Sequence, residues 1–328
     1  MQKVYPRKLN KGDLVRVISP ARSLGIISQE LRDIAKIRFK ELGLKLTFGK
    51  HVEEKDDFNS SSIESRIEDL HNAFSDKDVK AVITVIGGFN SNQLLDYIDW
   101  DLIRNNPKIL CGYSDITALN NSFFAKTGLV TYSGPHYSSF GQKLYLDYTI
   151  DYFKKCLMKS EEFDVIPSEE WSDDQWWRAQ DDRSLLKNDG FWILNEGSAK
   201  GTLLGGNLCT FNLLHGSQYM PDLTNSVLFI EDDSESLPHH FDRDFQSIIH
   251  QSGFNGVKGI VFGRFQKDSN MTFDLLRQIV KFKKQLTHIP IIGNADFGHS
   301  DPKITFPVGG TIFLSVNQKE TKLTILEH

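Results

Sequence analysis

Lys108-Ile109-Leu110-Cys111-Gly112-Tyr113-Ser114-Asp115-Ile116-Thr117-Ala118-Leu119 contains the pattern of a short strand, a tight turn and a helix start. The apolar run 109–111 is typical of a parallel strand that is covered on both faces. Gly112 is expected to permit the chain reversal, and Asp115 and Thr117 are residue types that favour a helix start. The segment therefore predicts a strand-to-helix corner at the carboxyl edge of a sheet.

Ser114 lies in this corner, in the position of a nucleophile. Backbone N–H groups next to such a turn point toward an oxyanion that forms there. The full G-x-S-x-G pattern is not met, because position 116 is Ile. Since most Gly-x-Ser turns carry no chemistry and the serine often caps a helix, a catalytic role requires a base and an orienting acid elsewhere in the chain.

Upstream of the corner, strand patterns alternate with helical spacing, which predicts a parallel sheet with helices on both faces. Ligands of such sheets bind beyond the carboxyl ends of the strands. The predicted strands are 14–20, 44–48 and 81–86, and the predicted helices are 34–42, 63–74 and one that starts near Gln93.

The pair Gly87-Gly88 follows the third predicted strand, so its loop and the Ser114 turn meet at one edge of the sheet. The Gly88 N–H and the Asp115 N–H are candidates for an oxyanion hole, although a plain tight turn is the commoner role of two glycines. A phosphate loop is excluded, because G-x-x-x-x-G-K-[ST] is absent from the chain.

The amino-acid composition changes near residue 160, where pairs of acidic residues are mixed with tryptophans. Four of the five tryptophans lie here, and they either pack the segment down as a lid or offer a stacking surface to a planar ligand. Strand patterns then dominate to the C-terminus, with one helix near 272–282 and a closing hairpin around Asn317-Gln318. We predict an N-terminal α/β domain (1–160), a Trp-rich linker or lid (161–198) and a strand-rich mixed α/β domain (199–328).

Bulk composition limits the classes of function. The 328 residues suffice for two domains, and 39% hydrophobic and 25% charged residues are typical of a globular protein. A net charge of −5 provides no basic field for nucleic acid or an anionic membrane. The N-terminus lacks the apolar core of a signal peptide and no run spans a bilayer, so we expect a cytoplasmic protein.

The three cysteines, Cys111, Cys156 and Cys209, are far apart and show no C-x-x-C spacing. Structural zinc and a disulfide framework are therefore not expected, and three buried reduced thiols are. Cys111 is a weaker alternative nucleophile, because it is expected to lie buried on the strand before the turn.

A serine nucleophile needs a base near neutral pKa and an acceptor that orients the base. Among ten histidines, His299 is distinctive because it follows a buried strand in the polar, glycine-rich loop 293–302. The rival pair His239-His240 resembles half of a metal site but lacks a third ligand at helical spacing. Glu231 ends an apolar strand and needs a partner, yet Asp232 and Asp233 follow it directly, and the residues alone do not choose among the three.

Five motifs, taken together and in this order, resemble the LD-carboxypeptidase family of serine peptidases, and the first of them with the Trp-rich segment resembles its microcin C immunity branch. The motifs are Gly87-Gly88-Phe89-Asn90-Ser91-Asn92, Gly112-Tyr113-Ser114-Asp115-Ile116-Thr117, Gly205-Gly206-Asn207-Leu208, Phe229-Ile230-Glu231 and Gly298-His299.

The resemblance implies a two-domain homodimer without metal or cofactor, with Ser114 as nucleophile, His299 as base and Glu231 as the orienting acid. It implies an oxyanion hole from the backbone N–H groups of Gly88 and Asp115. It also implies that three side chains contact the substrate, with the first two stacking on a nucleotide: Trp176, Trp177 and Asn207.

The predicted function is hydrolysis of an amide through an acyl-enzyme, with an aminoacyl-nucleotide antibiotic as substrate. One alternative is a murein tetrapeptide LD-carboxypeptidase of peptidoglycan recycling. An alternative of another class is a non-catalytic, two-lobed protein that closes on a small ligand. Turnover and acylation of Ser114 by a reactive probe distinguish the enzymes from the binding protein.

Overall fold

The computed structural model describes residues 2–328 and contains two main sheets with helices packed around them. The strands are β1 (Leu14–Ile18), β2 (Lys45–Phe48), β3 (Val79–Thr84), β4 (Ile109–Cys111), β5 (Thr131–Ser133), β6 (Phe163–Asp164), β7 (Glu170–Trp171), β8 (Leu186–Lys187), β9 (Trp192–Asn195), β10 (Gly197–Asn207), β11 (Ser226–Glu231), β12 (Gly259–Gly263), β13 (Ile291–Ala295), β14 (Phe306–Val308), β15 (Thr311–Val316) and β16 (Thr321–Glu327). The α-helices are α1 (Gln29–Glu41), α2 (Ile63–Ser75), α3 (Trp100–Asn105), α4 (Thr117–Thr127), α5 (Asp147–Met158), α6 (Leu208–Asn212), α7 (Pro238–Ile249) and α8 (Phe273–Lys281).

The first sheet has the strand order β14-β5-β4-β3-β1-β2. Its five N-terminal strands pair in parallel, and β14 joins the edge antiparallel to β5. β4 is completely buried, as its unbroken apolar run predicts. The predicted two-domain α/β fold with a parallel N-terminal sheet is confirmed.

The second sheet has the order β6-β16-β15-β10-β11-β12-β13-β9. Strands β10 to β13 pair in parallel at its centre, and antiparallel strands flank them on both sides. The C-terminal part is thus strand-rich and mixed, as predicted.

Three edge strands come from parts of the sequence that lie outside the other strands of their sheet. β6 and β9, from the Trp-rich segment, are edge strands of the second sheet, while β14, from the C-terminal part, completes the first. β7 and β8 form a separate two-stranded sheet. The boundaries at 160 and 198 stay a prediction.

The helix that the sequence predicts near Gln93 is a short 3-10 turn, Ser91–Leu94. The next α-helix, α3, starts only at Trp100, because the Asp99 carboxylate accepts hydrogen bonds from the Asp101 and Leu102 N–H groups and caps it there. Asn90 and Ser91, at the start of this turn, donate hydrogen bonds to Asp115 next to Ser114.

Two of the three thiols are buried, Cys111 and Cys156, and the prediction of burial is wrong for Cys209. Cys209 is the second residue of α6, whose buried side is formed by Leu208, Thr210 and Phe211, so its own side chain faces outward. Within residues 2–328, no helix is both long enough and apolar enough to cross a bilayer.

Candidate active site

Ser114 stands at the strand-to-helix corner between β4 and α4 with a φ of +57°. A non-glycine residue in this left-handed region costs about 1–2 kcal/mol, a strain that is typical of a nucleophile turn. The reversal therefore falls on Ser114 and not on Gly112, which has no positive φ. Gly112 is required for space, because a Cβ there would lie 2.2 Å from Thr84 Oγ1.

The Asp115 side chain ties the neighbouring glycine loop to this corner. Its carboxylate accepts hydrogen bonds from the N–H groups of Asn90 and Ser91, at 3.1 and 2.9 Å, and the Ser91 hydroxyl donates to the Asp115 carbonyl at 2.7 Å. The residue type of Asp115 suggested that it caps α4, but its side chain binds the glycine loop instead. Burial raises the pKa of this carboxyl even though these N–H groups lower it.

Gly87 brings the loop against the nucleophile. A Cβ at Gly87 would lie 2.9 Å from Ser114 Cβ and 3.0 Å from Ser114 Oγ. Gly88 is the next residue, and it lines the same cavity as Ser114. The glycine loop and the Asp115 N–H are thus adjacent, while the role of Gly88 and Asp115 as an oxyanion hole stays a prediction.

Glu231 ends β11 and is almost completely buried, with 3% of its surface exposed. Two glycines leave room for its side chain: a Cβ at Gly263 would lie 2.8 Å from Glu231 Cβ, and one at Gly298 would lie 2.7 Å from Glu231 Oε2. Gly298 also has a φ of +106°, which glycine adopts without strain. This turn places the next residue, His299, directly over the carboxylate.

His299 joins the three predicted residues into one chain of hydrogen bonds. Its Nε2 lies 3.0 Å from Ser114 Oγ, and its Nδ1 lies 2.8 Å from Glu231 Oε2. The geometry selects Glu231 from the three acids left open by the sequence. Asp232 accepts instead from the Asn207 amide, and burial, followed by repulsion from Glu231, raises the pKa of Asp232 to about 7.

The contact between α4 and β10 fixes the position of Ser114 relative to Glu231. The Asn121 side chain exchanges two hydrogen bonds with the backbone of Gly205, at 2.9 and 3.1 Å. The Thr117 hydroxyl accepts from the Asn207 N–H at 3.0 Å. Since β10 pairs with β11 so that Asn207 is opposite Glu231, the helix behind Ser114 is registered to the strand that ends at Glu231.

A buried ion pair holds the loop that leads to His299. Arg264 Nη1 lies 2.6 Å from Asp296 Oδ1, and both side chains are at most 2% exposed. The Asp296 carboxylate also accepts from the Ser168 N–H and hydroxyl, at 2.7 and 2.8 Å, and from the Tyr148 hydroxyl at 3.2 Å. Asp296 therefore connects the Trp-rich segment and α5 to the loop that carries His299.

Replacing Asp296 with alanine is expected to lower the free energy of unfolding by about 3–5 kcal/mol, because Arg264 is left as an unpaired buried charge. Denaturant unfolding measures the loss. The control is Asp33→Ala, which removes an exposed pair with Lys36 at 3.6 Å and should cost about 1 kcal/mol or less. A loss at Asp296 no larger than the control contradicts the proposed anchoring.

Ser114 and His299 open into a cavity of about 620 Å³. Five carboxylates line it: Asp173 pairs with Lys267, Asp174 with Arg183 and Asp301 with Lys303, while Asp233 and Glu235 have no ion-pair partner among residues 2–328. The residues that line it include Gly88, Tyr113, Ser114, His136, Ser138, Ser139, Trp176, Trp177, His299, Asp301 and Lys303.

Trp176 and Trp177 both line this cavity, with ring centroids 5.9 Å apart and the rings nearly perpendicular. Trp176 packs partly against the core, whereas Trp177 is 53% exposed. Trp192 lies in β9 and packs on Phe273 of α8, so it serves the fold of the second sheet. Contact of Trp176 and Trp177 with substrate stays a prediction.

Asn207 does not line the cavity, although it is paired with Glu231 across β10 and β11. Its side-chain oxygen caps α6 by accepting from the Thr210 N–H at 3.1 Å, and its amide donates to Asp232 at 3.2 Å. With 2% exposure it is a buried cap. In this structure it positions β10 and Asp232, and its contact with substrate stays a prediction.

The rival pair His239-His240 lies on α7, outside the cavity that contains Ser114. Among residues 2–328, no cluster of three or more His, Cys, Asp or Glu side chains is arranged to hold a metal ion.

Sequence reasoning missed one side of the cavity, which is formed by Tyr113, His136 and Lys303. Tyr113 is adjacent to Ser114 in the sequence, but nothing in the local pattern of His136 or Lys303 indicates a site. They reach the cavity through the loops after β5 and β13, so only the packing of the two sheets reveals them.

Comparison with known protein families finds one match in the N-terminal part of the chain and one in the C-terminal part. Residues 15–134 match the LD-carboxypeptidase N-terminal domain, and residues 200–314 match the LD-carboxypeptidase C-terminal domain. YocD of Bacillus subtilis (strain 168), named as a carboxypeptidase, is 50% identical over 325 residues, which cover 99% of this chain and all of that protein. The microcin C7 self-immunity protein MccF of Escherichia coli is 31% identical over 86% of this chain and 84% of its own.

Solved structures agree with these matches. An MccF-like protein from Bacillus anthracis superposes with a TM-score of 0.98 at 51% identity, covering 99% of this chain and all of that one. MccF in complex with aspartyl sulfamoyl adenosine superposes with a TM-score of 0.85 at 27% identity and covers 99% of both chains. These similarities identify the enzyme class as a serine-type carboxypeptidase or amide hydrolase.

Proposed function

The chain belongs to the LD-carboxypeptidase family of serine peptidases, and we propose that it hydrolyses an amide bond through an acyl-enzyme on Ser114. The observation that carries this proposal is the hydrogen-bonded chain from Ser114 through His299 to Glu231, which opens into the cavity. A serine, a base within reach of its hydroxyl and an acid on the far side of that base are the parts that acyl transfer needs.

In the first half of the reaction, His299 Nε2 takes the proton of Ser114 Oγ as the oxygen attacks the carbonyl carbon. The oxyanion that forms is stabilised by the N–H groups of Gly88 and Asp115. When the C–N bond breaks, His299 gives its proton to the leaving nitrogen, so that the leaving group departs with that nitrogen protonated. Glu231 accepts from Nδ1–H, which keeps Nε2 free as the base and stabilises the imidazolium.

In the second half, a water molecule replaces the serine hydroxyl as nucleophile. His299 takes a proton from the water as its oxygen attacks the acyl carbon, and then returns a proton to Ser114 Oγ. The acid product leaves and the enzyme is restored. The burial of Glu231 and the limited exposure of His299, at 19% of its side chain, strengthen these charge interactions.

The substrate that we propose is an aminoacyl nucleotide of the sulfamoyl or phosphoramidate type. The related MccF structure with aspartyl sulfamoyl adenosine supports this choice, as does the presence of Trp176 and Trp177 at the cavity. A murein tetrapeptide is the second candidate, because a Bacillus subtilis protein named as a murein peptide carboxypeptidase is 30% identical over 96% of this chain. A homodimer remains part of this proposal.

The experiment offers both substrates to the purified protein and identifies products by mass spectrometry. Release of the free amino acid from an aminoacyl sulfamoyl adenosine supports the proposed substrate. Release of D-alanine alone from an L–D tetrapeptide selects the second candidate. Hydrolysis of neither, by protein whose Ser114 does not react with a fluorophosphonate, contradicts the proposed function.

Trp177→Ala is expected to raise KM for the nucleotide substrate by about tenfold or more, since stacking of a base on an aromatic ring contributes about 1–3 kcal/mol. The KM of the tetrapeptide should not change, because that substrate has no base. Phe282→Ala is the matched control, since Phe282 is an exposed aromatic residue outside the cavity. An unchanged nucleotide KM in Trp177→Ala contradicts the stacking role.

A further inference from the structure

One side of the cavity, which we call the polar wall, is formed by Tyr113, His136, Ser138, Ser139 and Lys303. Four of these residues line the cavity although they are more than nine-tenths buried: His136, Ser138, Ser139 and Lys303. The reaction described above uses none of them. Buried polar groups are costly unless they have partners, so groups that face an open cavity call for an explanation.

Lys303 provides a fixed positive charge at this wall. Its ammonium pairs with Asp301 and lies 5.3 Å from the centre of the Tyr113 ring. Burial lowers the pKa of Lys303, but the charge of Asp301, the neighbouring Tyr113 hydroxyl and the hydrogen bond to Asp301 together raise the pKa overall, so the side chain stays protonated. An ammonium has three N–H donors, and within residues 2–328 Asp301 is its only hydrogen-bond partner.

His136 supplies a polar atom without a partner. Its Nδ1 lies 2.8 Å from Thr84 Oγ1, while its Nε2 is buried and has no hydrogen-bond partner among residues 2–328. Burial, and then the neighbouring charges of Lys303 and His299, hold the pKa of His136 well below its ordinary value. The ring is therefore neutral. Nε2 is a donor in the tautomer in which the Thr84 hydroxyl donates to Nδ1, and an acceptor in the tautomer in which Nδ1–H donates to Thr84 and that hydroxyl donates to the Cys111 carbonyl at 3.4 Å.

The polar wall is continuous with the reacting groups. The Tyr113 ring stacks on His136 with centroids 4.3 Å apart, and its edge faces His299 at 5.5 Å. Tyr113 is also the residue before Ser114. The Tyr113 ring thus contacts both His136 of the wall and His299 of the reacting pair.

We propose that the polar wall is an oxyanion-binding subsite for the leaving group of the substrate, with Lys303 as its principal ligand. The proposal rests on the proposed function and names the chemistry that both candidate substrates share. A peptide that ends in a D-residue carries a carboxylate one carbon beyond the scissile nitrogen. An aminoacyl nucleotide carries sulfamoyl or phosphoryl oxygens on the atom bonded to that nitrogen.

A positive charge in the same cavity as Ser114 is also suited to cleavage of a terminal residue. Binding of an anion by Lys303 favours substrates whose leaving group is charged next to the scissile bond. An internal amide offers no such charge, so an endopeptidase has no use for the wall. Lys303 is then a substrate-binding residue, and Asp301 holds its ammonium in place.

The test measures binding on the Ser114→Ala background by calorimetry and turnover on the intact serine. Three ligands are compared: an L–D tetrapeptide with a free carboxylate, the same peptide as its C-terminal amide, and an aminoacyl sulfamoyl adenosine. Lys303→Met is expected to weaken binding of the carboxylate and sulfamoyl ligands by about 10- to 100-fold and to raise their KM, as loss of a hydrogen bond to a charged group predicts. Binding of the amide should not change.

Lys283→Met is the matched control, because Lys283 is similarly buried and pairs with Asp242 at 2.5 Å outside the cavity. It should leave all three affinities unchanged. Lys303→Met/Asp301→Asn removes both charges, so it tests the subsite without leaving Asp301 unpaired. Labelling of an intact Ser114 by a fluorophosphonate in each lysine variant reports on the reacting groups separately.

An affinity for carboxylate and amide that falls equally in Lys303→Met overturns the proposal and makes Lys303 a structural partner of Asp301. So does an affinity that does not change. If only the carboxylate ligand or only the sulfamoyl ligand is affected, the source of the oxyanion is identified. If the selective loss of binding occurs without turnover of any ligand, the subsite stands and the proposed function fails.

Discussion

Replacing Ser114 with alanine is expected to lower turnover by about 10⁴- to 10⁶-fold without unfolding the protein. Alanine lacks the oxygen that forms the acyl-enzyme but has nearly the same volume, and it accepts the φ of +57° at no greater cost than serine. Product formation per enzyme, measured by mass spectrometry, gives the loss. Circular dichroism and thermal unfolding report whether the fold is retained.

His299→Ala is expected to produce a loss of similar size, and the double variant should be no worse than either single one. Residues that act as a unit lose their function together, so their effects do not add. Ser75→Ala is the control, because Ser75 is at the end of α2 and outside the cavity. Turnover near the wild-type level in a pure Ser114→Ala preparation contradicts the mechanism, as does acylation of Cys111 by the probe.

The N-terminal sheet as far as the Ser114 corner could be predicted from local patterns alone, whereas α3, β5 and α5 were not predicted. Apolar strands that alternate with amphipathic helices require a parallel sheet, and the corner at Ser114 follows from a strand that stops at a glycine. The predicted strands and helices correspond closely to β1, α1, β2, α2 and β3. The segment Ser91–Leu94 is a short 3-10 turn where a helix is predicted, because Gln93-Leu94-Leu95 has helical composition but the Asn90 side chain makes no capping hydrogen bond.

The hydrogen-bonded arrangement of Ser114, His299 and Glu231 could be predicted only in part from the sequence. Local sequence placed Glu231, Asp232 and Asp233 together at the end of one strand and left the choice open. Alternation along a strand points neighbouring side chains to opposite faces, so only one of two consecutive acids can face His299. The glycines at 263 and 298, which are distant in sequence, leave the room that selects Glu231.

Features that depend on contacts between distant segments were not predictable. The polar wall combines residues from the loops after β5 and β13, and β14 crosses into the first sheet from the C-terminal part. The positive φ of Ser114 is likewise a product of its surroundings, since the local sequence offers Gly112 for the reversal. Asp115 holds the glycine loop instead of capping a helix for the same reason.

Glu231→Gln should lower turnover by about 10⁴-fold, as the loss of the orienting carboxylate does in other serine triads, and should change its dependence on pH. Burial lowers the pKa of His299, but the charge of Glu231, its hydrogen bond to Nδ1 and the charges of Asp233 and Asp232 together outweigh burial, so the pKa is raised above its ordinary value. The base acts only when neutral. The acidic limb of kcat/KM in the wild type should therefore lie above the ordinary pKa of a histidine.

In Glu231→Gln the carboxylate charge is gone while burial remains, so the pKa of His299 should fall and the acidic limb should move to lower pH. A purely structural role of Glu231 predicts a lower rate with an unmoved limb. The contrast requires kcat/KM over a pH series for both proteins, with Asp33→Ala as the control for loss of an exposed carboxylate. An acidic limb that stays in place, or moves to higher pH, contradicts the assignment of Glu231.

The dependence of the unfolding free energy on pH tests the Glu231–His299 pair independently of activity. Because the folded protein raises the pKa of His299, protonation of that ring stabilises the fold at pH values below its unfolded pKa. This contribution is lost as the pH rises through the folded pKa. The difference in unfolding free energy between wild type and Glu231→Gln should therefore be largest at acid pH and shrink toward neutral and alkaline pH. A difference that grows as the pH rises means that the Glu231 charge does not stabilise a protonated His299.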